Sequence, residues 1–120
     1  MKLLKFSHYN NISNLNPAAI YREDVVGSGE KARNLRSTFA IMPPHQKVPY
    51  HYHVNRETFI LFISGTATVT IEGKEYTIQA NEMIYIPAGE KHGTANNADV
   101  ELRYLEFFTG TEGVDDRINA

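Results

Sequence analysis

The stretch Thr66–Ala80, TATVTIEGKEYTIQA, decides the fold class. Ala67, Val69 and Ile71 alternate with threonines, which is the period of a strand with one buried face. Glu72-Gly73 then turns the chain, with glycine where a tight hairpin needs a positive φ. Tyr76, Ile78 and Ala80 alternate again after the turn. Outward from this hairpin the same pattern continues. TFILFIS (58–64) is a strand apolar on both parities, MIYIP (83–87) a short strand and VELRYLEFF (100–108) a longer one. LRSTFAIM (35–42) is a strand that stops at Pro43-Pro44, which cannot continue a ladder. Residues 1–34 are the least patterned part. PAAIY (17–21) is expected to make one short helical turn capped by Asn16, and GSGEK (27–31) is a connector. The tail TGTEGVDDRINA (109–120) is polar and expected to be loose. Six or more short strands and almost no helix indicate an all-β sandwich or barrel.

The bulk numbers fit that reading. The chain has 120 residues, enough for one domain that buries a core without covalent staples. It has no cysteine, so disulfides, thiolate metal sites and thiol nucleophiles are excluded. Lys and Arg number 12 against 14 Asp and Glu, a net charge of −2 with no basic block. Neither nucleic acid nor an anionic membrane surface is expected as a partner. The apolar run in MKLLKF is too short for a signal peptide, and a cytoplasmic location is expected.

Chemistry concentrates in two places. In PYHYHVNRE (49–57), His51 and His53 share a face if the segment is extended, and Glu57 follows a short polar turn. Imidazoles at that spacing can reach one ion near ~2 Å, and a carboxylate joined to them suits Fe, Mn, Zn, Ni or Cu. An HxH pair on an exposed strand is more often two solvated histidines. In NEMIYIPAGEKHGTAN (81–96), a strand ends in Pro87-Ala88-Gly89, a turn able to aim His92 back across the barrel.

Together these segments resemble the two motifs of the cupin superfamily, G(x)5HxH(x)3–4E(x)6G and G(x)5PxG(x)2H(x)3N. Pro87, Gly89, His92 and Asn96 keep every spacing of the second, with Asn81 in place of its first glycine. His51, His53, Glu57 and Gly65 meet the first, with His45 in place of its first glycine. The resemblance covers about residues 35–108. It implies a double-stranded β-helix (cupin, jelly-roll-like) barrel of two antiparallel sheets, wrapped or extended by residues 1–34. It also implies one divalent metal ion held by His51, His53, Glu57 and His92. One spacing departs: seven residues separate Glu57 from Gly65 where the pattern has six, which puts Thr58 in the glutamate slot. A one-residue slip exchanges the faces of a strand, so only one of the two can point inward without a bulge. Inward Glu57 would place Phe59, Leu61 and Ile63 in the core; Ile60 and Phe62 could serve there instead.

Other side chains have plainer expected roles. His45 and His8 are surface histidines, Tyr50 and Tyr52 face away from the metal, and Arg56 pairs with Glu57 at the surface. Arg103 and Glu106 have opposite parity, so at most one faces the interior. Phe39, Met83, Tyr85, Tyr104 and Phe107 are core residues or pocket walls.

Three functions fit such a chain. The first is a metal-dependent enzyme on a small molecule, resembling cupin dioxygenases, decarboxylases or isomerases. The second is a non-catalytic module that binds or senses a small ligand or metal. The third is a metal-free epimerase type, which needs a His–Asp base and a tyrosine; no such pair is evident in the sequence, and the complete histidine set argues against it. A homodimer is expected, because strand 58–64 has a second apolar face that either the N-terminal segment or another subunit must cover.

Overall fold

The computed structural model describes residues 1–110 and 116–120. Its elements are a short helix α1 (Phe6–Asn11) and ten strands: β1 (Tyr21–Val26), β2 (Arg36–Met42), β3 (Lys47–His53), β4 (Glu57–Ser64), β5 (Thr66–Ile71), β6 (Lys74–Gln79), β7 (Met83–Ile86), β8 (His92–Ala95), β9 (Leu102–Thr109) and β10 (Arg117–Asn119). They form two antiparallel five-stranded sheets, β1-β2-β9-β4-β7 and β10-β3-β8-β5-β6. The expected double-stranded β-helix is therefore the fold observed. The β5–β6 hairpin pairs from Thr66↔Gln79 to Ile71↔Lys74. Its turn residues Glu72 and Gly73 both have positive φ, 47° and 81°. That is the mirror-image turn whose twist suits a hairpin.

Two apolar clusters hold the molecule together. The first fills the barrel between the sheets, with Met42, Ile60, Phe62, Val69, Leu102 and Tyr104 among its buried members. The second lies on the outside of the first sheet, where Tyr9 and Val25 cover Phe39, Ile41 and Leu105, with Leu4, Ile12, Leu61 and Ile63 packed around them. Helix α1 thus docks on the outer sheet face. The Arg103 guanidinium anchors it by donating to the Tyr9 carbonyl at 2.7 Å.

Several expectations need correction here. Residues 17–18 form a single hydrogen-bonded turn and no helix, and Asn16 caps it as expected, its Oδ1 accepting from the Ala18 N–H and its carbonyl from the Ala19 N–H. In residues 1–34, β1 adds to the sheet beside β2 and α1 lies on its outer face, so both the extension and the wrapping are seen. Of the tail, residues 111–115 lie outside the described residues, and the rest is not loose. β10 pairs with β3, placing Arg117 opposite His53 and Asn119 opposite His51.

Strand β4 runs with the opposite parity to the one that would favour Glu57. Thr58, Ile60 and Phe62 are buried inward, while Phe59 is half exposed. The physical reason is that both faces of β4 are apolar and both find partners, so hydrophobicity alone does not fix its register. The ladder to β9 shifts between Phe62 and Ser64, a bulge that accounts for the extra residue before Gly65. Gly65 itself has φ +86°, and a Cβ there would meet the Glu101 carbonyl oxygen at 2.5 Å. Among the described residues, no helix is long and apolar enough to cross a membrane.

Candidate metal centre

The second sheet brings its histidines together by simple ladder geometry. His51 on β3 and His92 on β8 are direct cross-strand partners, with ring centroids 4.3 Å apart. His53, two residues along β3, falls on the same face, 5.0 Å from His51 and 5.9 Å from His92. All three are buried. The turn after β7 is tied to this cluster, because the Gly89 N–H donates to the His53 carbonyl at 2.7 Å. Gly89 has φ +83°, which is why glycine stands there. Asn96, which ends the second motif, is wholly buried and structural. Its amide donates to the Met42 and Val100 carbonyls and its oxygen accepts from the Ala98 N–H. The motif positions occupied by His45 and Asn81 in place of glycine both have left-handed backbones, φ 63° and 70°. The conformation is kept although the residue is not.

The hydrogen bonds decide what the imidazoles can do. His51 Nδ1 lies 2.7 Å from the Pro49 carbonyl and His92 Nδ1 lies 2.9 Å from the Glu90 carbonyl. His53 Nδ1 lies 3.0 Å from Asp116 Oδ1. Carbonyls only accept, as does the ionised carboxylate, so each Nδ1 carries the proton and donates. Each ring then has Nε2 as its lone-pair nitrogen. The candidate ligand atoms of the three rings lie within 4.8 Å of one another. Two nitrogens bound to one ion at ~2.0–2.1 Å stand at most ~4.2 Å apart, so small ring rotations close the set. Burial pushes the His51 imidazole down to about 4, with the neighbouring His92, Arg117 and His53 adding to it against the Pro49 carbonyl. Burial likewise lowers His53, helped by Arg56 and opposed by Asp116, and lowers His92 against the pull of Glu90. Neutral imidazoles with oriented protons are the state that receives a cation.

Glu57 is not part of this group. It is exposed on the outer face of β4, where its carboxylate accepts from the Tyr85 hydroxyl at 2.6 Å. Thr58 occupies the inward slot. Arg56 is turned inward too, its guanidinium stacked 4.0 Å over the Phe108 ring, rather than paired with Glu57 at the surface. His45 is exposed and meets Asp99 at 3.0 Å. Of the aromatic wall candidates only Tyr104 lines the cavity. Phe39 belongs to the outer cluster with Phe107 packed against it, and Met83 and Tyr85 are exposed.

The three histidines line a cavity of about 240 Å³ in the barrel mouth. Among the described residues its other charged walls are Arg22, Arg56, Arg117 and Glu106. Glu106 faces inward because its ladder partner is Ile60, and Arg103 accordingly faces out. Burial pushes the Glu106 carboxyl up, while Arg22 and Arg56 pull it down. Asp116, Arg117 and Arg22 were not singled out by sequence. They sit in segments without periodicity, and only the placement of β1 and β10 reveals them. Asp116 is held by two contacts, Oδ1 to His53 and Oδ2 accepting from the Asn55 N–H at 2.6 Å.

Comparison with known proteins agrees with this geometry. A mannose-1-phosphate guanylyltransferase of Salmonella montevideo is 30% identical over 87 residues, which are 72% of this chain and 18% of that protein. The chain thus spans about a fifth of the length of such relatives. Among solved structures, TT1209 of Thermus thermophilus superposes with a TM-score of 0.77 at 16% identity, covering 92% of this chain and 98% of the other. A predicted oxalate decarboxylase of Thermotoga maritima gives 0.71 at 18% identity, covering 76% and 80%. Residues 38–108 match the Cupin_2 family model, described as a cupin domain, and over more than half its length the chain belongs to that family.

Proposed function

We propose that the protein is a metal-dependent enzyme that acts on a small molecule in the barrel mouth, with one divalent ion held by Nε2 of His51, His53 and His92. The observation that carries this reading is the fixing of all three Nδ1 protons by acceptors, which leaves three lone-pair nitrogens on one wall of a cavity. Such an ion supplies Lewis-acid polarisation, a template or electron relay, and three protein ligands leave positions open for substrate oxygen. The chain's own groups do the rest. His53 is oriented through Asp116, as metal-binding histidines commonly are by a carboxylate. Glu106 and the Tyr104 hydroxyl stand in the same cavity as groups able to hold or pass a proton. The resemblance to a predicted oxalate decarboxylase supports an enzyme over a mere container. Nitrogen-only ligation suits Fe, Mn, Zn, Ni or Cu, so the metal is a matter for measurement.

Elemental analysis of protein purified without added metal tests the centre. About one equivalent of a first-row metal per chain is expected. His51→Ala, His53→Ala and His92→Ala should each lose most of it, because each removes one of three strong donors. Glu57→Ala should keep the full equivalent. Metal retained after any two histidine replacements, or lost with Glu57→Ala, would sink the assignment. An oxygen-uptake and product screen with small oxygenated substrates then separates enzyme from binder. Binding without turnover across the panel would favour the non-catalytic reading.

A further inference from the structure

Among the described residues, cations outnumber acids around the cavity. Three guanidiniums, Arg22, Arg56 and Arg117, line it together with the Glu106 carboxyl, and Asp116 stands behind His53. These cations come from three separate parts of the chain: β1, the turn before β4, and β10. Arg22 lines the cavity together with the buried Tyr104. Arg56 is fixed by its stack over Phe108, and Arg117 stands beside His53 in the ladder. A guanidinium carries five N–H donors in a planar fork that matches the two oxygens of an oxyanion, so one protein partner does not exhaust it. A metal ion at the histidines would make the field more positive still. A sugar or phenol without charge would make little use of these walls, and the volume of about 240 Å³ lies below the ~300–1,000 Å³ of pockets for drug-sized ligands.

We propose that the cavity takes a small oxyanionic molecule, a carboxylate or phosphate ester carrying a further oxygen, whose anionic group lies against Arg22, Arg56 and Arg117 while the other oxygen faces the three histidines. This names the ligand class of the proposed enzyme and rests on that reading for the metal alone. The arginines belong to the fold whether or not a metal is present.

Calorimetric titration of the zinc-loaded protein with glycolate, malonate, glycerol 3-phosphate and neutral glycerol tests it. At least one of the three anions should bind tenfold or more tightly than glycerol, and binding should weaken as salt is raised. Preference for glycolate or malonate assigns a carboxylate, and preference for glycerol 3-phosphate a phosphate ester. Arg22→Gln and Arg117→Gln, both at exposed positions, should each weaken the preferred anion about tenfold with metal content unchanged. Equal binding of glycerol and the anions, or anion binding untouched in both variants, overturns the proposal. The same titration of metal-free protein separates the two readings. Anion binding there, with no zinc uptake, would leave the arginine site standing and remove the metal centre. Zinc uptake without anion binding would do the reverse.

Discussion

The two ends of the chain look alike in sequence, since neither shows a strand or helix period, yet they do different work. The N-terminal segment brings Leu4, Tyr9 and Ile12 onto the outside of the first sheet, where they meet Phe39, Ile41 and Leu105. The C-terminal segment adds a three-residue strand to the edge of the second sheet and brings Asp116 and Arg117 to the histidines. Residues 4–12 are an apolar cover placed where they touch none of the three histidines, and only Arg22, further along on β1, reaches the cavity. Among the described residues the C-terminal segment belongs to neither apolar cluster, and it brings charged groups to the cavity. The difference teaches that a segment's contribution follows from which sheet edge or face it reaches, and hardly at all from its own periodicity.

The largest effect that can break this contrast is expected at Tyr9. Its ring is buried, 4.8 Å from the Phe39 ring. Tyr9→Ala removes a large side chain from a closed apolar site and should cost about 3–4 kcal/mol of stability. Urea unfolding of metal-free protein measures it. Metal affinity per folded molecule should be unchanged, because no ligand or ligand partner touches that face. A large loss of affinity with little loss of stability would put residues 4–12 in the site and end the contrast.

The mirror experiment is Asp116→Ala. It leaves the apolar clusters intact but frees the His53 ring and the Asn55 N–H. Metal affinity should fall about 10–100-fold, as for other carboxylates behind metal-bound histidines. Unfolding stability of the metal-free protein should change much less than in Tyr9→Ala. Competition with a chelator of known strength reads the first quantity. Unchanged affinity would reduce the C-terminal strand to a structural edge.

A smaller effect follows from the imidazoles. All three have folded pKa values below the ordinary one, with burial the leading cause. As pH falls, the unfolded chain therefore takes up protons before the folded one does. Stability of the metal-free protein should drop from about pH 6.5 downward until the folded rings protonate, near 4 for His51. Glu106 works in the opposite sense. Its raised pKa gives a contribution complete below about pH 4.3 and lost as pH rises. Three groups against one set the sign. Urea midpoints at about pH 7.5 and 5 in the presence of chelator check it, and a higher midpoint at the acid end would contradict it.

What was legible in the sequence has a physical pattern. Where one face of a strand is apolar and the other polar, as in β5 and β6, alternation reveals both element and orientation. The HxH pair was legible because strand period two puts both rings on one face, and His92 because Pro87 and Gly89 dictate its turn. Glu106 gave a weak signal as a charge inside the apolar run RYLEFF. Strand β4 was legible as a strand but not in its register. Phe59, Leu61 and Ile63 are as apolar as Ile60 and Phe62, and the extra residue before Gly65 signals a slip without saying that a bulge between Phe62 and Ser64 absorbs it. Arg22, Asp116 and Arg117 carry no local signal, because their roles are made by long-range strand pairing.

The outer face of β4 also supplies the smallest expected effect on the monomer. The N-terminal segment covers Leu61 and Ile63 but not the far end of the strand. There Phe59 is 51% exposed, and on the neighbouring edge strand β7 Met83 is 66% and Tyr85 48% exposed. Phe59 and Tyr85 are ladder partners with rings 5.2 Å apart, so the patch is continuous across two strands. We propose that two copies of the chain pair through it, since self-complementary pairing is the commonest way soluble chains cover such a face. Phe62 is no part of this face, because it is 1% exposed inside the barrel and a charge there would unfold the protein rather than separate subunits. Sedimentation at micromolar concentration should give a dimer mass for the native chain. Phe59→Lys should shift it toward monomer while changing monomer stability by no more than about 0.5 kcal/mol, as for surface substitutions elsewhere. A native monomer, or a dimer indifferent to Phe59→Lys, would leave the N-terminal segment as the cover of that sheet and the exposed patch without a partner of its own kind.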